Sequence, residues 1–336
     1  MKDRKGGSTR RSFLQAAGLG IAATRLAEAG AVNTQPAGKR TAMAPEQFRR
    51  LLAGPIQSQP TPFDEKRRID HAAVRRMVDR ALRYGVPIFA LTAGNSQYHS
   101  LSYEEVKALT RTLVEAVDGR AITISATGQW WTERAVDYAR YAESVGADAV
   151  QILMPAVYGS EDELVEHYRA IARATRLPLV LHGQYPESLL RKLLQIESIA
   201  AIKEDGALTS YIDRIIEFGN RVEIFAGGAE NRYLVGYPYG AKAFYSTYCS
   251  FAPDIPMQFW KAIKENDLKK ATEITTRFDY PFIKRFTHPF WHATLEYFGV
   301  AKRYMRPPQH TFTDAEMKDV AAFFDAQGLK PEQYKE

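Results

Sequence analysis

Residues 199–205 read Ile199-Ala200-Ala201-Ile202-Lys203-Glu204-Asp205, an apolar run that ends in three charged residues. A short and uninterrupted apolar run is typical of a parallel strand, because such a strand is covered on both faces. In folds built on parallel sheets, functional groups lie at the C-terminal ends of the strands. This segment therefore predicts a buried strand whose charged end lies where chemistry is expected.

Seven similar runs occur along the chain, and the stretches between them have helical periodicity. Val74, Met77 and Val78, for example, fall on one helical face after Asp70, a residue suited to cap a helix. Eight strands that alternate with helices favour a closed barrel over an open doubly wound sheet, and no Gly-rich dinucleotide fingerprint follows the first strand. We predict an α/β fold, a (β/α)₈ TIM barrel. The predicted strands are Gly54–Gln59, Pro87–Gly94, Ala121–Gly128, Ala149–Pro155, Pro178–Gln184, Ile199–Asp205, Val222–Gly228 and Ala241–Thr247.

We expect the barrel to occupy residues 46–255. Residues 256–336 also have a helical pattern and exceed what one closing helix needs, so we predict a C-terminal helical appendage packed on the barrel. Local signals place some boundaries. Ser102 and Glu105 have capping-box spacing, and Gly146 is placed to end a helix.

The first 29 residues are predicted to be a twin-arginine signal peptide, and residues 30–45 a flexible spacer. Arg10-Arg11 precedes a short, weakly apolar stretch, and Ala27-Glu28-Ala29 offers a small-x-small cleavage site. We expect export to the periplasm. Six Lys and Arg against two Asp and Glu give this segment +4 of the formal net charge of +6. The remaining chain is near neutral, which gives no support to nucleic-acid binding.

Composition excludes further classes of protein. After the signal, no apolar run is long enough to span a membrane. Cys249 is the only cysteine, so the chain cannot form an internal disulfide or a cysteine-based zinc site.

Lys203 is the unusual residue among the strand ends. Because side chains alternate along a strand, Ala201 and Lys203 share one side and Ile202 the other. If Ile202 faces the helices, Lys203 points into the barrel. Burial there lowers the pKa of an ammonium, and a neutral amine is a nucleophile toward carbonyl carbon. The alternative is a structural lysine paired with Glu204 or Asp205.

The stretch from about residue 54 to residue 329 resembles the dihydrodipicolinate synthase/N-acetylneuraminate lyase family. Ile202-Lys203-Glu204 stands where that family has its Schiff-base lysine, which implies this role for Lys203. Six other segments match in order and spacing. They are Thr61-Pro62-Phe63, Leu91-Thr92-Ala93-Gly94-Asn95-Ser96, Leu101-Ser102-Tyr103-Glu104-Glu105, Gly146-Ala147-Asp148, Gly240-Ala241 with Ser246, and Arg306-Pro307-Pro308.

The departures from the family pattern concern the residues around that lysine. The proton-relay tyrosine corresponds to His182 if the strands are aligned, and to Tyr185 if the following proline fixes the loop. Ala93 replaces the second threonine of the family's carboxylate-binding loop, so the backbone N–H remains as a donor but the hydroxyl is lost. True dihydrodipicolinate synthases have an arginine after the fifth strand that binds the semialdehyde substrate, and here Ser188 or a neighbour occupies that position. This replacement, together with the predicted export, argues against a role in lysine biosynthesis. Tyr158 is the nearest substitute for the missing fourth-strand tyrosines.

Two other pairs of residues, one of histidines and one of tryptophans, can each be interpreted in two ways. His288 and His292 have the spacing of metal ligands, but their aromatic neighbours favour packing. Trp130-Trp131 either line the mouth of the pocket or cover a subunit contact.

We therefore expect a Schiff-base aldolase or lyase that acts on pyruvate or another 2-keto acid, or on a sugar acid that yields one. Lys203 is the expected nucleophile, and His182 or Tyr185 the proton carrier. No metal or organic cofactor is implied, and the resemblance suggests a homotetramer or dimer. An exported barrel that only binds such an acid is the competing class. A metal-dependent sugar isomerase or hydrolase would need a cluster of carboxylates and histidines at the strand ends, and the sequence shows none. The residues expected to bind substrate are Thr92, Ala93, Gly94, Tyr158, Gly227 and Tyr245.

Overall fold

The computed structural model describes residues 42–334, which form a closed barrel of eight parallel strands in chain order. The prediction of a TIM barrel is confirmed, and each strand lies within its predicted run. The predicted signal peptide and most of the predicted spacer lie outside the described residues. The strands are β1 (Gly54–Ser58), β2 (Ile88–Ala90), β3 (Ile122–Ala126), β4 (Ala149–Leu153), β5 (Leu179–His182), β6 (Ile199–Glu204), β7 (Glu223–Ala226) and β8 (Ala243–Ser246).

Among residues 42–334, one helix precedes the barrel, one follows each strand, and four further helices complete the C-terminal region. The first nine are α1 (Pro45–Leu51), α2 (His71–Arg83), α3 (Tyr103–Val117), α4 (Thr132–Val145), α5 (Glu161–Ala174), α6 (Glu187–Leu193), α7 (Leu208–Phe218), α8 (Glu230–Gly236) and α9 (Asp254–Lys264). The others are α10 (Leu268–Ile274), which continues into a π-helical turn at Thr275–Asp279, α11 (Tyr280–Arg285), α12 (His288–Tyr297) and α13 (Asp314–Gln327).

Local hydrogen bonds fix the helix boundaries that the sequence indicated. The Asp70 side chain accepts from the Ala73 N–H at the start of α2. Ser102 and Glu105 form the complete capping box at the start of α3. Gly146 ends α4 with φ of 89°, a conformation that costs glycine little.

Strand alternation divides the apolar core into two clusters. The cluster inside the barrel includes Ile56, Ala201 and Phe225, whereas Ile202 belongs to the cluster between the strands and the helices. Phe48 of α1 packs into the inner cluster and closes the N-terminal end of the barrel. Polar groups on the inward positions are therefore concentrated at the C-terminal end.

The C-terminal helices form an aromatic layer against the barrel, as predicted. Phe251, Phe298 and Phe324 contact one another with ring centroids 4.9–5.8 Å apart. Arg306 ties this region to α3, because its guanidinium donates to both carboxylate oxygens of Glu105 at 2.6 and 2.9 Å. Across residues 42–334, none of the helices combines the length and apolarity that crossing a membrane requires.

Candidate active site

The Lys203 side chain lies at the C-terminal end of β6 and points into the barrel, beside groups from three strands. Its amine contacts the Asp205 carboxylate and lies 3.1 Å from Nε2 of His182 at the end of β5. Nζ also lies 5.4 Å from the centre of the Tyr245 ring of β8. An amine, an imidazole and a carboxylate thus meet in one place.

Burial and charge shift the pKa values of these groups. Burial lowers the pKa of the Lys203 ammonium, and the opposing effect of Asp205 does not cancel that shift. Burial alone would raise the pKa of the Asp205 carboxyl. The hydrogen bond from His182 and the charge of Lys203 outweigh that effect, and the pKa of Asp205 falls well below its ordinary range. Burial lowers the pKa of His182, so its imidazole is neutral at physiological pH.

The predicted alternative for Lys203 was an ion pair with Glu204 or Asp205, and the structure contains the second of these pairs. Asp205 is shared, however, because its Oδ2 also lies 2.9 Å from Nε2 of His182. Glu204 points to the outside of the barrel and pairs with Arg214 and Arg232. The ion pair with Asp205 therefore belongs to the same acid–base cluster as the amine.

His182 and Tyr185 occupy different surroundings. Tyr185 is buried against α5, where its hydroxyl lies 2.6 Å from that of Tyr168. The same hydroxyl donates to the main-chain oxygen of His182 at 3.2 Å. Burial raises the pKa of the Tyr185 phenol. Of the two residues left open by the sequence, His182 is the one in contact with the Lys203 amine.

The loop after β2 offers two backbone donors. The Thr92 N–H donates to Oγ of Ser96 at 3.1 Å and is therefore occupied. The N–H groups of Ala93 and Gly94 have no hydrogen-bond partner within residues 42–334. Asn95, next in the loop, donates to Ser58 of β1 at 2.9 Å, which fixes the loop against the barrel rim.

The remaining predicted substrate residues lie at different distances from the amine. A side chain at Gly227 would overlap the Asp205 carboxylate and would lie 3.1 Å from Nζ of Lys203. Gly227 therefore leaves the space in which the Asp205 carboxylate lies. Tyr158 is half-exposed in the loop between β4 and α5. Tyr245 is buried, and its hydroxyl donates to Oε1 of Gln151 at 3.2 Å.

The sequence analysis missed Gln151, which contacts the site from β4. Its Nε2 lies 3.2 Å from Nδ1 of His182, and the side chain is fully buried. The available signal was a polar residue on the inward face of an apolar strand, since Ala149 and Gln151 share that face. The contact between His182 and Asp205 was also missed, because it joins two strands.

The two other residue groups have aromatic surroundings. His292 is buried, lies 6.2 Å from the Phe63 ring in a stacked arrangement, and has a pKa that burial lowers to about 3. Trp130 packs against Tyr103 with ring centroids 5.2 Å apart, whereas Trp131 is exposed. Within the described part of the chain, no three His, Cys, Asp or Glu residues are grouped as metal ligands.

Comparison with known proteins gives one family. Residues 51–327 match the family described as "Dihydrodipicolinate synthetase family". The chain is 28% identical to "Probable 5-dehydro-4-deoxyglucarate dehydratase 1" of Streptomyces coelicolor, over 69% of this chain and 77% of that protein. It is also 28% identical to "4-hydroxy-tetrahydrodipicolinate synthase" of Alkaliphilus oremlandii, over 64% of this chain and 76% of that protein.

Solved structures share the same fold at lower identity. Dihydrodipicolinate synthase from Bacillus clausii superimposes with a TM-score of 0.75 at 23% identity, over 83% of this chain and 98% of that chain. N-acetylneuraminate lyase from Mycoplasma synoviae superimposes with a TM-score of 0.73 at 21% identity, over 82% and 98% of the two chains.

Proposed function

The chain belongs to the dihydrodipicolinate synthetase family, and we propose that it is a Schiff-base lyase or aldolase with Lys203 as its nucleophile. The substrate is a 2-keto acid such as pyruvate, or a sugar acid that yields one. The observation that carries this proposal is the buried Lys203 amine, at the C-terminal face of the barrel, in contact with His182 and Asp205. Family members are lyases, aldolases and dehydratases, and all of these fit that arrangement.

In the proposed reaction, Lys203 attacks the keto carbon and forms an iminium, which then serves as an electron sink. A bond to the neighbouring carbon can break or form, and the iminium takes up or releases the electron pair. The N–H groups of Ala93 and Gly94 hold the substrate carboxylate. The protons move through the pair formed by His182 and Asp205, because this pair contacts the amine and Tyr185 does not.

We propose that the substrate differs from that of lysine biosynthesis. Ser188 donates to Glu161 at 2.9 Å, so this position offers no guanidinium for a semialdehyde carboxylate. A sugar acid is compatible with the relatives, since one is named for the dehydration of 5-dehydro-4-deoxyglucarate. As in the sequence-based expectation, we propose a homotetramer or dimer.

A panel of 2-keto acids tests the reaction class. The protein is incubated with each acid, reduced with borohydride, and weighed intact by mass spectrometry. Condensation loses one water and borohydride reduction adds two hydrogens, which gives a stable secondary amine. A reactive acid should therefore add its own mass less one oxygen atom. If no acid in a broad panel, including sugar-derived acids, leaves an adduct, a barrel that only binds such acids becomes the better proposal.

We also propose that the chain is exported through a twin-arginine signal. Changing Arg10 and Arg11 together to lysine should leave a full-length precursor in the cytoplasm, because the paired arginines are what the export machinery recognises. Fractionation of cells followed by immunoblotting measures this. A matched change of Lys2 and Lys5 to arginine should leave export intact. Unchanged periplasmic accumulation of the Arg10/Arg11 variant would contradict the proposal.

A further inference from the structure

Both ring nitrogens of His182 have side-chain partners, and these partners determine where its proton lies. Nε2 lies 2.9 Å from Oδ2 of Asp205, and Nδ1 lies 3.2 Å from the amide nitrogen of Gln151. On the far side of Gln151, the Tyr245 hydroxyl donates to Oε1 at 3.2 Å. The result is a hydrogen-bonded chain that runs from Tyr245 through Gln151 and His182 to Asp205.

This chain favours one tautomer of His182. An ionised carboxylate only accepts hydrogen bonds, so the contact with Asp205 requires a proton on Nε2. Because Oε1 of Gln151 already accepts from Tyr245, its NH₂ group faces Nδ1, which must then be unprotonated. A second proton on the ring is also disfavoured, because the Lys203 amine lies only 3.1 Å away. His182 is therefore neutral and has no free lone pair on the nitrogen that faces Lys203.

Asp205 is consequently the proton acceptor next to the amine. Its carboxylate contacts Nζ directly, and Gly227 leaves room for it. The Asp205 side chain is 39% exposed, compared with 10% for Lys203 and 12% for His182. Of the three groups, Asp205 is thus the one that reaches both the amine and the space that an incoming substrate enters.

We propose that Asp205 is the acid–base residue of Schiff-base formation, and that Gln151 and Tyr245 are positioning residues that keep His182 as its neutral donor. This inference rests on the proposed function, since it concerns the reaction of the Lys203 amine with a keto acid. His182 then orients the Asp205 carboxylate and stabilises its charge, and does not take the proton of Lys203 itself.

The proton transfers balance through Asp205. The carboxylate takes one proton from the Lys203 ammonium, and the freed amine attacks the keto carbon while the C=O π pair moves to oxygen. Asp205 returns that proton to the oxygen, which gives a carbinolamine. A second proton then passes from nitrogen through Asp205 to the hydroxyl group, which leaves as water. The third proton stays on the iminium nitrogen. The negative charge of the bound substrate helps the first transfer, because a second carboxylate nearby raises the pKa of Asp205.

The first test measures how fast the adduct forms in Asp205→Asn, with a keto acid that wild type traps. Asparagine cannot shuttle protons, so the rate of adduct formation should fall by about 10²–10⁴-fold, and Asp205→Glu should restore part of it. If Asp205 acted only through its charge, the rate of adduct formation in Asp205→Asn should rise and not fall. The charged and titratable groups around Lys203 are His182, Asp205, Tyr245 and Arg232. Of these, Asp205 raises the pKa of Lys203, so its loss should free more amine and speed trapping near neutral pH.

The second test reads the tautomer of His182 directly, without substrate. Solid-state spectra of the full chain labelled with ¹⁵N-histidine should show His182, assigned by its loss in His182→Gln, with Nε2 protonated and Nδ1 unprotonated at pH 7. Gln151→Leu should disturb this pattern and lower the maximal trapping rate while leaving the half-saturating concentration of keto acid unchanged. Gln57→Leu is the matched control, because Gln57 is equally buried but donates to Gln59 and not to His182.

These outcomes separate the inference from the proposed function. If wild type is trapped and Asp205→Asn is trapped equally fast, the role of Asp205 is wrong while the reaction class stands. If wild-type His182 is protonated on Nδ1, the positioning role of Gln151 and Tyr245 is wrong, whether or not a variant folds. Failure of every keto acid to trap wild type overturns the proposed function itself.

Discussion

Lys203→Ala should lose the borohydride-stable adduct completely, and Lys203→Arg should lose it as well. Alanine has no nucleophile, whereas arginine keeps the positive charge opposite Asp205 but cannot be deprotonated in a protein. Loss in both variants would show that a neutral amine is needed, and not a cation. Turnover should fall by at least about 10⁴-fold, the scale seen when a covalent nucleophile is removed.

Peptide mapping by mass spectrometry locates the adduct, which should lie on the peptide that contains Ile202-Lys203-Glu204. Lys261→Ala is a suitable control, because the Lys261 side chain is 71% exposed and pairs with Glu265 at 3.9 Å, away from Lys203 and its partners. That variant should keep the full adduct, and circular dichroism should show that each variant is folded. An adduct that survives in Lys203→Ala would mean that another lysine reacts.

The orientation of Lys203 was predictable from sequence because it depends on a local property. The sides of β6 follow from the alternation of Ala201, Ile202 and Lys203, and the structure places Ala201 inside the barrel and Ile202 outside. The capping box at Ser102 and the end of α4 at Gly146 are local in the same sense. Patterns that span a few residues therefore specified most of the barrel.

The contacts around Lys203 were harder to predict because they join separate strands. Gln151 of β4, His182 of β5 and Tyr245 of β8 meet only when the barrel closes. The choice between His182 and Tyr185 had the same origin, since the loop could be aligned in two ways, and only the strand position favoured His182. The structure separates the two residues because β5 ends at His182, and the chain then turns so that Tyr185 packs on Tyr168 of α5.

Glu204 illustrates the same limit, and its position has a consequence for stability. The sequence offered it as a partner of Lys203, its direct neighbour, but strand alternation places it on the opposite face. Its actual partners are Arg214 of α7 and Arg232 of α8. Arg214 also donates to the main-chain oxygen of Tyr185 at 2.8 Å, so Glu204 helps to hold the loop after β5. The Glu204 side chain is fully buried.

Glu204→Gln should therefore reduce the free energy of unfolding by about 3–5 kcal/mol, because it leaves two largely buried guanidinium groups without their counter-charge. Urea unfolding, followed by fluorescence, measures this as a lower midpoint at an unchanged slope. Glu187→Gln is the matched control, because it removes the ion pair with Arg191, in which the Glu187 side chain is 63% exposed. This change should lower the free energy of unfolding by about 1 kcal/mol or less. The double variant Glu204→Gln/Arg214→Gln should be less destabilised than the sum of its parts, since each change removes the same pair. A loss for Glu204→Gln as small as that for Glu187→Gln would contradict a buried ion pair at this position.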